Sequence, residues 1–302
     1  MKSSSRTCDS YAVVEYNGDV FPCDFFVEKT WKLGNVNLAF AGEFTTIDPP
    51  GAVAARLYGI NPLGDMVGGH RDASGRLRGF LLSNGTSTSI DPPVAGLRAT
   101  EAGGINPQGD IVGYFVGSDS RTHGYLLSKG VLAIIDAPDA GPVGTVASGI
   151  NAQGDIVGFY ADSSGNLHGF LLSGGTFTTI DVPGAILTRP FGINPQGDIA
   201  GQYYDASGRH HGFLLSKGVL TTIDVPGFHT EAYGINPQGD VAGVYYDNGG
   251  NQHGFLLRNG AFTTFDVPGS TLTQGIGINP QGEIVGGYFD GSGRLHGYLR
   301  RE

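Results

Sequence analysis

The stretch Gly-Ile-Asn-Pro-Gln-Gly-Asp at 104–110 recurs, intact or as a close variant, six times, beginning at Gly59, Gly104, Gly149, Gly192, Gly234 and Gly277. The spacings are 45, 45, 43, 42 and 43 residues. A period of roughly 20–50 residues marks a repeated unit that covers its hydrophobic faces only by stacking on neighbouring copies.

Each repeat divides into four strand-length pieces. In the fourth copy they are Thr188 to Asn194, Asp198 to Tyr204, His211 to Leu215 and Leu220 to Asp224. Asn194-Pro195-Gln196-Gly197 reads as a type I turn closed by a left-handed glycine, which joins the first two strands. Asp205 to Gly208 makes the next turn and Lys217-Gly218 the third. Sister repeats carry Asn84-Gly85, Gly174-Gly175 and Asn259-Gly260 at this third turn. Four short antiparallel strands per period predict a blade of a β-propeller. The array starts on a fourth strand, Phe44 to Asp48, and ends on a third strand, Gly297 to Arg300. The expected fold is therefore all-β: a six-bladed β-propeller over 41–302, closed by pairing 44–48 with 297–300. Closure of that kind removes a raw sheet edge.

Composition narrows the function classes. Gly supplies 52 of 302 residues without a Gly-X-Y period, as expected for many tight turns. The net charge of −10 argues against sequence-independent binding to nucleic-acid phosphates and against attraction to anionic lipid. No run of about 18 apolar residues is present, so no membrane insertion is expected. The first 25 residues lack the basic-then-apolar pattern of a secretory signal.

Residues 1–40 do not follow the repeat. Asn17-Gly18 between Ala12 to Tyr16 and Asp19 to Phe21 predicts a hairpin with a two-residue turn, pairing 16 with 19 and 12 with Cys23. Cys8, residues 13–27 (Val-Val-Glu-Tyr-Asn-Gly-Asp-Val-Phe-Pro-Cys-Asp-Phe-Phe-Val) and Lys-Leu-Gly-Asn-Val at 32–36 resemble part of a SPASM domain, the auxiliary iron–sulfur domain of radical-SAM enzymes of the anaerobic sulfatase-maturating type. That resemblance implies iron–sulfur ligation by Cys8 and Cys23. A cubane cluster takes about four thiolates and the chain has two. The segment therefore reads as a domain fragment, and no cofactor is expected.

The motif Gly-Ile-Asn-x-x-Gly-x-Ile-Val-Gly, then His-Gly-Phe-Leu, then Thr-x-Ile-Asp-x-Pro-Gly, resembles HAF-family extracellular repeats and covers 41–302. The resemblance implies an extracellular bacterial protein and no particular reaction. Arg78 departs from it, standing where the other copies have His.

Three rings of residues could carry chemistry. His123, His168, His211, His253 and His296, with Arg78 sixth, occupy one place in every repeat, which reads as structural hydrogen bonding. Asp48, Asp91, Asp136, Asp181, Asp224 and Asp266 precede the link between repeats, where a carboxylate can accept backbone N–H bonds. The Asp-x-Ser-Gly turns offer one acid each, too few for calcium. The third ring varies. Arg56, Glu101, Val146, Arg189, Glu231 and Gln274 lie three residues before Gly-Ile-Asn; Tyr58, Gly103, Ser148, Phe191, Tyr233 and Ile276 lie one before. On an innermost strand these border a central channel, and mixed chemistry at a repeated place makes an asymmetric site. Arg56, Glu101, Arg189, Glu231, Gln274, Tyr58, Phe191 and Tyr233 are thus the expected ligand-binding residues. Arg98, Phe228 and His229 stand on the same links.

The expected function is non-catalytic recognition of a polar ligand, a glycan or peptide, by a monomer. The alternatives are a hydrolase or lyase using Arg and Glu at the channel mouth, and a remnant of a radical-SAM maturation protein.

Overall fold

The computed structural model describes residues 12–14, 19–22, 34–35 and 42–302. It divides into two bodies, Met1–Gly42 with Glu302, and Glu43–Arg301.

In the first body, Ala12–Val14, Asp19–Pro22 and Gly34–Asn35 form a three-stranded antiparallel sheet. Its register corrects the sequence reading: Ala12 pairs with Pro22, not Cys23, and Val14 pairs with Val20. This register is one residue from the pairing of 16 with 19 expected from the sequence. Residues 15–18, Cys8 and Cys23 lie outside the described residues.

The second body is built wholly from strands. Its described residues form six four-stranded antiparallel units. In the fourth, Leu187–Ile193, Ile199–Tyr204, His210–Ser216 and Val219–Ile223 pair in chain order. The expected turns are present. Gly197 has φ +82° and its N–H reaches Asn194 O at 3.0 Å. Lys217 and Gly218 both have positive φ, as a type I′ turn requires. In the sixth unit, Leu272–Ile278, Ile284–Phe289 and Leu295–Arg301 take their fourth strand from the other end of the body. Glu43–Ile47 pairs antiparallel with Leu295–Arg301, Ile47 opposite Gly297 and Phe44 opposite Arg300.

The sheets do not close into a hydrogen-bonded barrel: single parallel bridges, Thr122 to Gly144 and Leu167 to Leu187, join the second, third and fourth units, while the first, fifth and sixth are separate sheets. They pack face to face. One core cluster joins Val67 and Ile90 of the first unit to Ala102, Ile105 and Tyr125 of the second. Another joins Val285 and Leu299 of the sixth to Leu57 and Phe80 of the first. Each third strand contributes a fully buried ring: Phe80, Tyr125, Phe170, Phe213, Phe255 or Tyr298. Deleting one such ring should cost about 3–5 kcal/mol.

The glycine of Gly-Ile-Asn sets the distance between units. A Cβ at Gly192 would lie 2.5 Å from Tyr233 O in the next unit; one at Gly277 would lie 2.8 Å from Tyr58 O. First strands therefore approach backbone to backbone all round, including between the sixth unit and the first. The motif asparagine then ties the units together. Asn106 Oδ1 accepts from Gln108 N and Asp110 N, while its Nδ2 donates to Asp110 and to Asn151 O of the next unit. Asn61, Asn151, Asn194 and Asn236 repeat this link. Asn279 instead donates to Glu283 at 2.7 Å, where the other units have the shorter Asp.

The histidine and aspartate rings prove to be one device. The aspartates that were expected to accept backbone N–H bonds accept an imidazole instead. His211 sits between Asp224 (2.8 Å) and Asp205 (3.3 Å), and His296 between Asp48 (2.7 Å) and Asp290 (3.3 Å). Arg78 bridges Asp72 and Asp91 in the same way. Each clamp joins the second turn of a unit to the end of its fourth strand. In the sixth unit it joins residues 48 and 296.

Candidate functional site: a central cavity with an aromatic side and a polar side

The six first strands surround a cavity of about 300 Å³. A local irregularity decides what faces it. In every unit the pairing of first and second strands skips one residue: the register passes from Ala102 to Gly104, and from Ala232 to Gly234. The residue skipped is the one before Gly-Ile-Asn, namely Tyr58, Gly103, Ser148, Phe191, Tyr233 or Ile276. A bulge of this kind re-aims the side chain of the extra residue. All six line the cavity, beside the prolines of the repeat motif.

The lining is lopsided. Phe159, Phe191 and Tyr233 form a run of rings, with centroids 6.2 and 4.6 Å apart. Tyr58, Glu101 and Tyr114 supply the polar side. Tyr58 OH donates to Glu101 Oε1 at 3.1 Å, and Tyr114 OH donates to Oε2 at 2.7 Å. Burial raises the Glu101 carboxyl above the usual carboxylate range, against the lowering effect of the two hydroxyls and Arg56. Burial and the neighbouring Glu101 push both phenols up.

Of the eight residues singled out in the sequence, Tyr58, Glu101, Phe191 and Tyr233 reach the cavity. Arg56, Arg189, Glu231 and Gln274 do not line it. The position three before Gly-Ile-Asn turns toward the preceding unit, and of its six residues Glu101 and Val146 also reach the cavity. Arg56 lies over Gly287, where a Cβ would come within 3.1 Å of its Cγ. The Arg189 guanidinium lies 5.2 Å from the centre of the Phe159 ring. Gln274 donates to Gln252. Glu231 is only 5% exposed and is held by Tyr233 OH at 2.7 Å and His210 Nδ1 at 2.9 Å. Phe228 and His229 belong to a separate surface groove. Arg98 bonds Ser118 O and Ser120 Oγ. Tyr114 and Phe159 were missed. Their signal is the variation at one place on the second strand, where Gly69, Gln202, Val244 and Gly287 are the counterparts.

The SPASM family, described as an iron–sulfur cluster-binding domain, matches residues 7–40. Cys8 and Cys23, the chain's two thiolates, are half of the roughly four that a cubane takes, so the donor set present does not complete one. Among curated proteins, none matches the chain significantly. Solved structures do match. AofleA from Arthrobotrys oligospora, solved as a mutant, aligns with a TM-score of 0.54 at 13% identity over 86% of this chain and 87% of that one. The Aleuria aurantia lectin, described as a fungal lectin with a six-bladed β-propeller fold and a novel fucose recognition mode, gives 0.51 at 12% identity over 84% and 93%. A putative TolB from Agrobacterium tumefaciens gives 0.51 at 14% identity over 82% and 98%. At these identities the likeness concerns the fold alone, and the second body has the β-propeller fold.

Proposed function

We propose that residues 43–301 form a six-bladed β-propeller that closes through its first and last strands and acts as a monomeric binding module for a polar ligand, best a glycan, held in the central cavity. The observation that carries this is the bulge. It presents one residue per unit to a single space, and those six residues differ. Ring faces on one side suit the C–H face of a sugar, and a carboxylate with two phenols suits its hydroxyls. A cavity of about 300 Å³ takes one or two sugar rings. The Aleuria aurantia lectin, which shares the fold and is described as having a fucose recognition mode, lends the glycan class further weight over a peptide. Glycosidic hydrolysis by the usual pair of carboxylates is less well supported, because Glu101 is the one carboxylate among the lining residues. The reading of the repeats as HAF-type, and hence of the protein as extracellular, rests on the repeat motif; the SPASM-like segment reads as a fused remnant.

The test is a combined glycan and peptide array followed by calorimetry on any hit. Phe191→Ala and Glu101→Gln should each weaken binding about tenfold or more while the protein stays folded. Array-wide silence, or turnover of a hit, overturns the reading.

A further inference from the structure

The junction between the fourth and fifth units breaks the repeat more sharply than any other. At the first residue of the third strand, the six units have Leu77, Thr122, Leu167, His210, Gln252 and Leu295. At the first residue of the first strand they have Ala54, Ala99, Gly144, Leu187, His229 and Leu272. Both imidazoles therefore appear once each, and the fold brings them together. Their ring centroids lie 5.1 Å apart, edge to face, at a groove of about 460 Å³ that is also lined by Phe228, Tyr246 and Asn248.

Behind the groove the histidines are held rigidly. The buried Glu231 carboxylate takes His210 Nδ1 at 2.9 Å and Tyr233 OH at 2.7 Å. The Gln202 amide, turned with its nitrogen toward Glu231, donates to both oxygens at 2.9 and 3.2 Å. The His210 ring stacks on Tyr204 at 3.7 Å and 9°. A carboxylate this well satisfied does not need a histidine for its own sake. It fixes the ring's orientation and its tautomer.

The partners fix one proton on each ring. The Glu231 carboxylate accepts, so His210 carries a proton on Nδ1 and its Nε2 is left without a partner among the described residues. His229 Nδ1 accepts from the His210 backbone N–H at 3.1 Å, so its proton is on Nε2, a donor. Neither Nε2 has a partner among the described residues. The groove thus offers two Nε2 atoms, that of His229 held as a donor, beside the ring faces of Phe228 and Tyr246. A transition metal would need a lone pair on Nε2 from both rings, and His229 held in this way does not supply one. Asp247, on the rim, is already engaged by Gly249 N, Asn251 and His253.

We infer that the groove between the fourth and fifth units is a second ligand site, built for adjacent hydroxyls of a saccharide, with His210 accepting from one hydroxyl, His229 donating to the next, and the sugar's C–H face lying on Phe228 and Tyr246. The site is distinct from the central cavity, and it stands or falls without the reading given for that cavity.

The experiment is NMR of protein labelled with ¹⁵N-histidine, titrated with methyl α-D-mannopyranoside, methyl β-D-galactopyranoside and methyl α-L-fucopyranoside in turn, and separately with zinc chloride. At least one glycoside should shift the His210 and His229 imidazole signals together and saturably. Loss of one hydrogen bond in His229→Ala should weaken that glycoside about fivefold to tenfold. Leu187 fills the equivalent place in the fourth unit, so His229→Leu provides a second, fold-compatible variant. Glu101→Gln and Phe191→Ala, in the central cavity, should leave the titration unchanged. The inference is overturned if no glycoside moves either signal, if zinc alone does, or if the central-cavity variants abolish the shifts. A silent central cavity with an intact histidine titration would defeat the proposed function and leave this site standing.

Discussion

At the start of each third strand, residues 78, 123, 168, 211, 253 and 296 do one job six times: an imidazole or guanidinium stands between two aspartates. At the bulge of each first strand, residues 58, 103, 148, 191, 233 and 276 do six different things. Both sets come from the same repeat and the same register. The first set holds a turn and a strand end together inside one unit, so every unit needs it and the pattern tolerates only Arg78 for His. The second set faces a space shared by all units, where nothing requires them to match. Repetition at a place therefore reports what each unit needs to stand up. Variation at a place reports what the assembly presents.

The largest test of this division strikes the repeated side. Asn106→Ala removes four hydrogen bonds around a turn and leaves the Gln108 and Asp110 N–H groups without their acceptor. It should cost about 3 kcal/mol by denaturant unfolding. Asn279→Ala should cost clearly less, because among the described residues the Asn279 side chain bonds only within its own turn. Equal losses would show that the link between units contributes little.

The clamps come next. His296→Ala leaves Asp48 and Asp290 facing each other across the joint between chain ends and should cost about 1–2 kcal/mol. Arg78→His, which restores the common residue, should change stability by less than about 0.5 kcal/mol.

The clamps also set the pH dependence. Burial pulls His123 and His253 down, but Asp136 with Asp119, and Asp266 with Asp247, outweigh it and leave both imidazoles raised. His168 is raised chiefly by Asp181. A histidine raised in the folded state contributes stability that is complete below its unfolded pKa, about 6.5, and is lost as pH climbs through the folded value. Asp162 and Asp247, held first by the Asn166 and Asn251 amides, are lowered to about 2. Their contribution is complete above the unfolded carboxylate pKa, about 4, and is lost as pH falls toward 2. Thermal unfolding should therefore peak between about pH 4 and 6.5 and decline on both sides. A maximum above pH 8 would show that the clamps do not control it.

Much of this was legible in the chain. The permuted order of strand pieces foretold that Phe44 to Asp48 would meet Gly297 to Arg300, because an array that starts with a fourth strand and ends with a third has one completing match. The clamps were half legible. Arg or His and its aspartate stand 13 residues apart in 78/91, 123/136, 168/181, 211/224 and 253/266. That constant spacing was the signal that they pair. The bulge was not legible, because a skipped pairing leaves no mark on composition or spacing. Without it, the position three before Gly-Ile-Asn looks as well placed for a channel as the position one before. The pleat turns Arg56, Arg189, Glu231 and Gln274 toward the preceding unit instead. Asn17-Gly18 misled for a related reason: a turn dipeptide fixes a register only where the strands beside it agree.

The division between repeated frame and variable lining is tested most directly by calorimetric titration of the best array ligand into Phe191→Ala and His168→Ala beside the unaltered protein. The account predicts that Phe191→Ala loses binding at least tenfold while its Tm barely moves, and that His168→Ala lowers Tm while binding is retained. Binding that survives Phe191→Ala and fails in His168→Ala would contradict it.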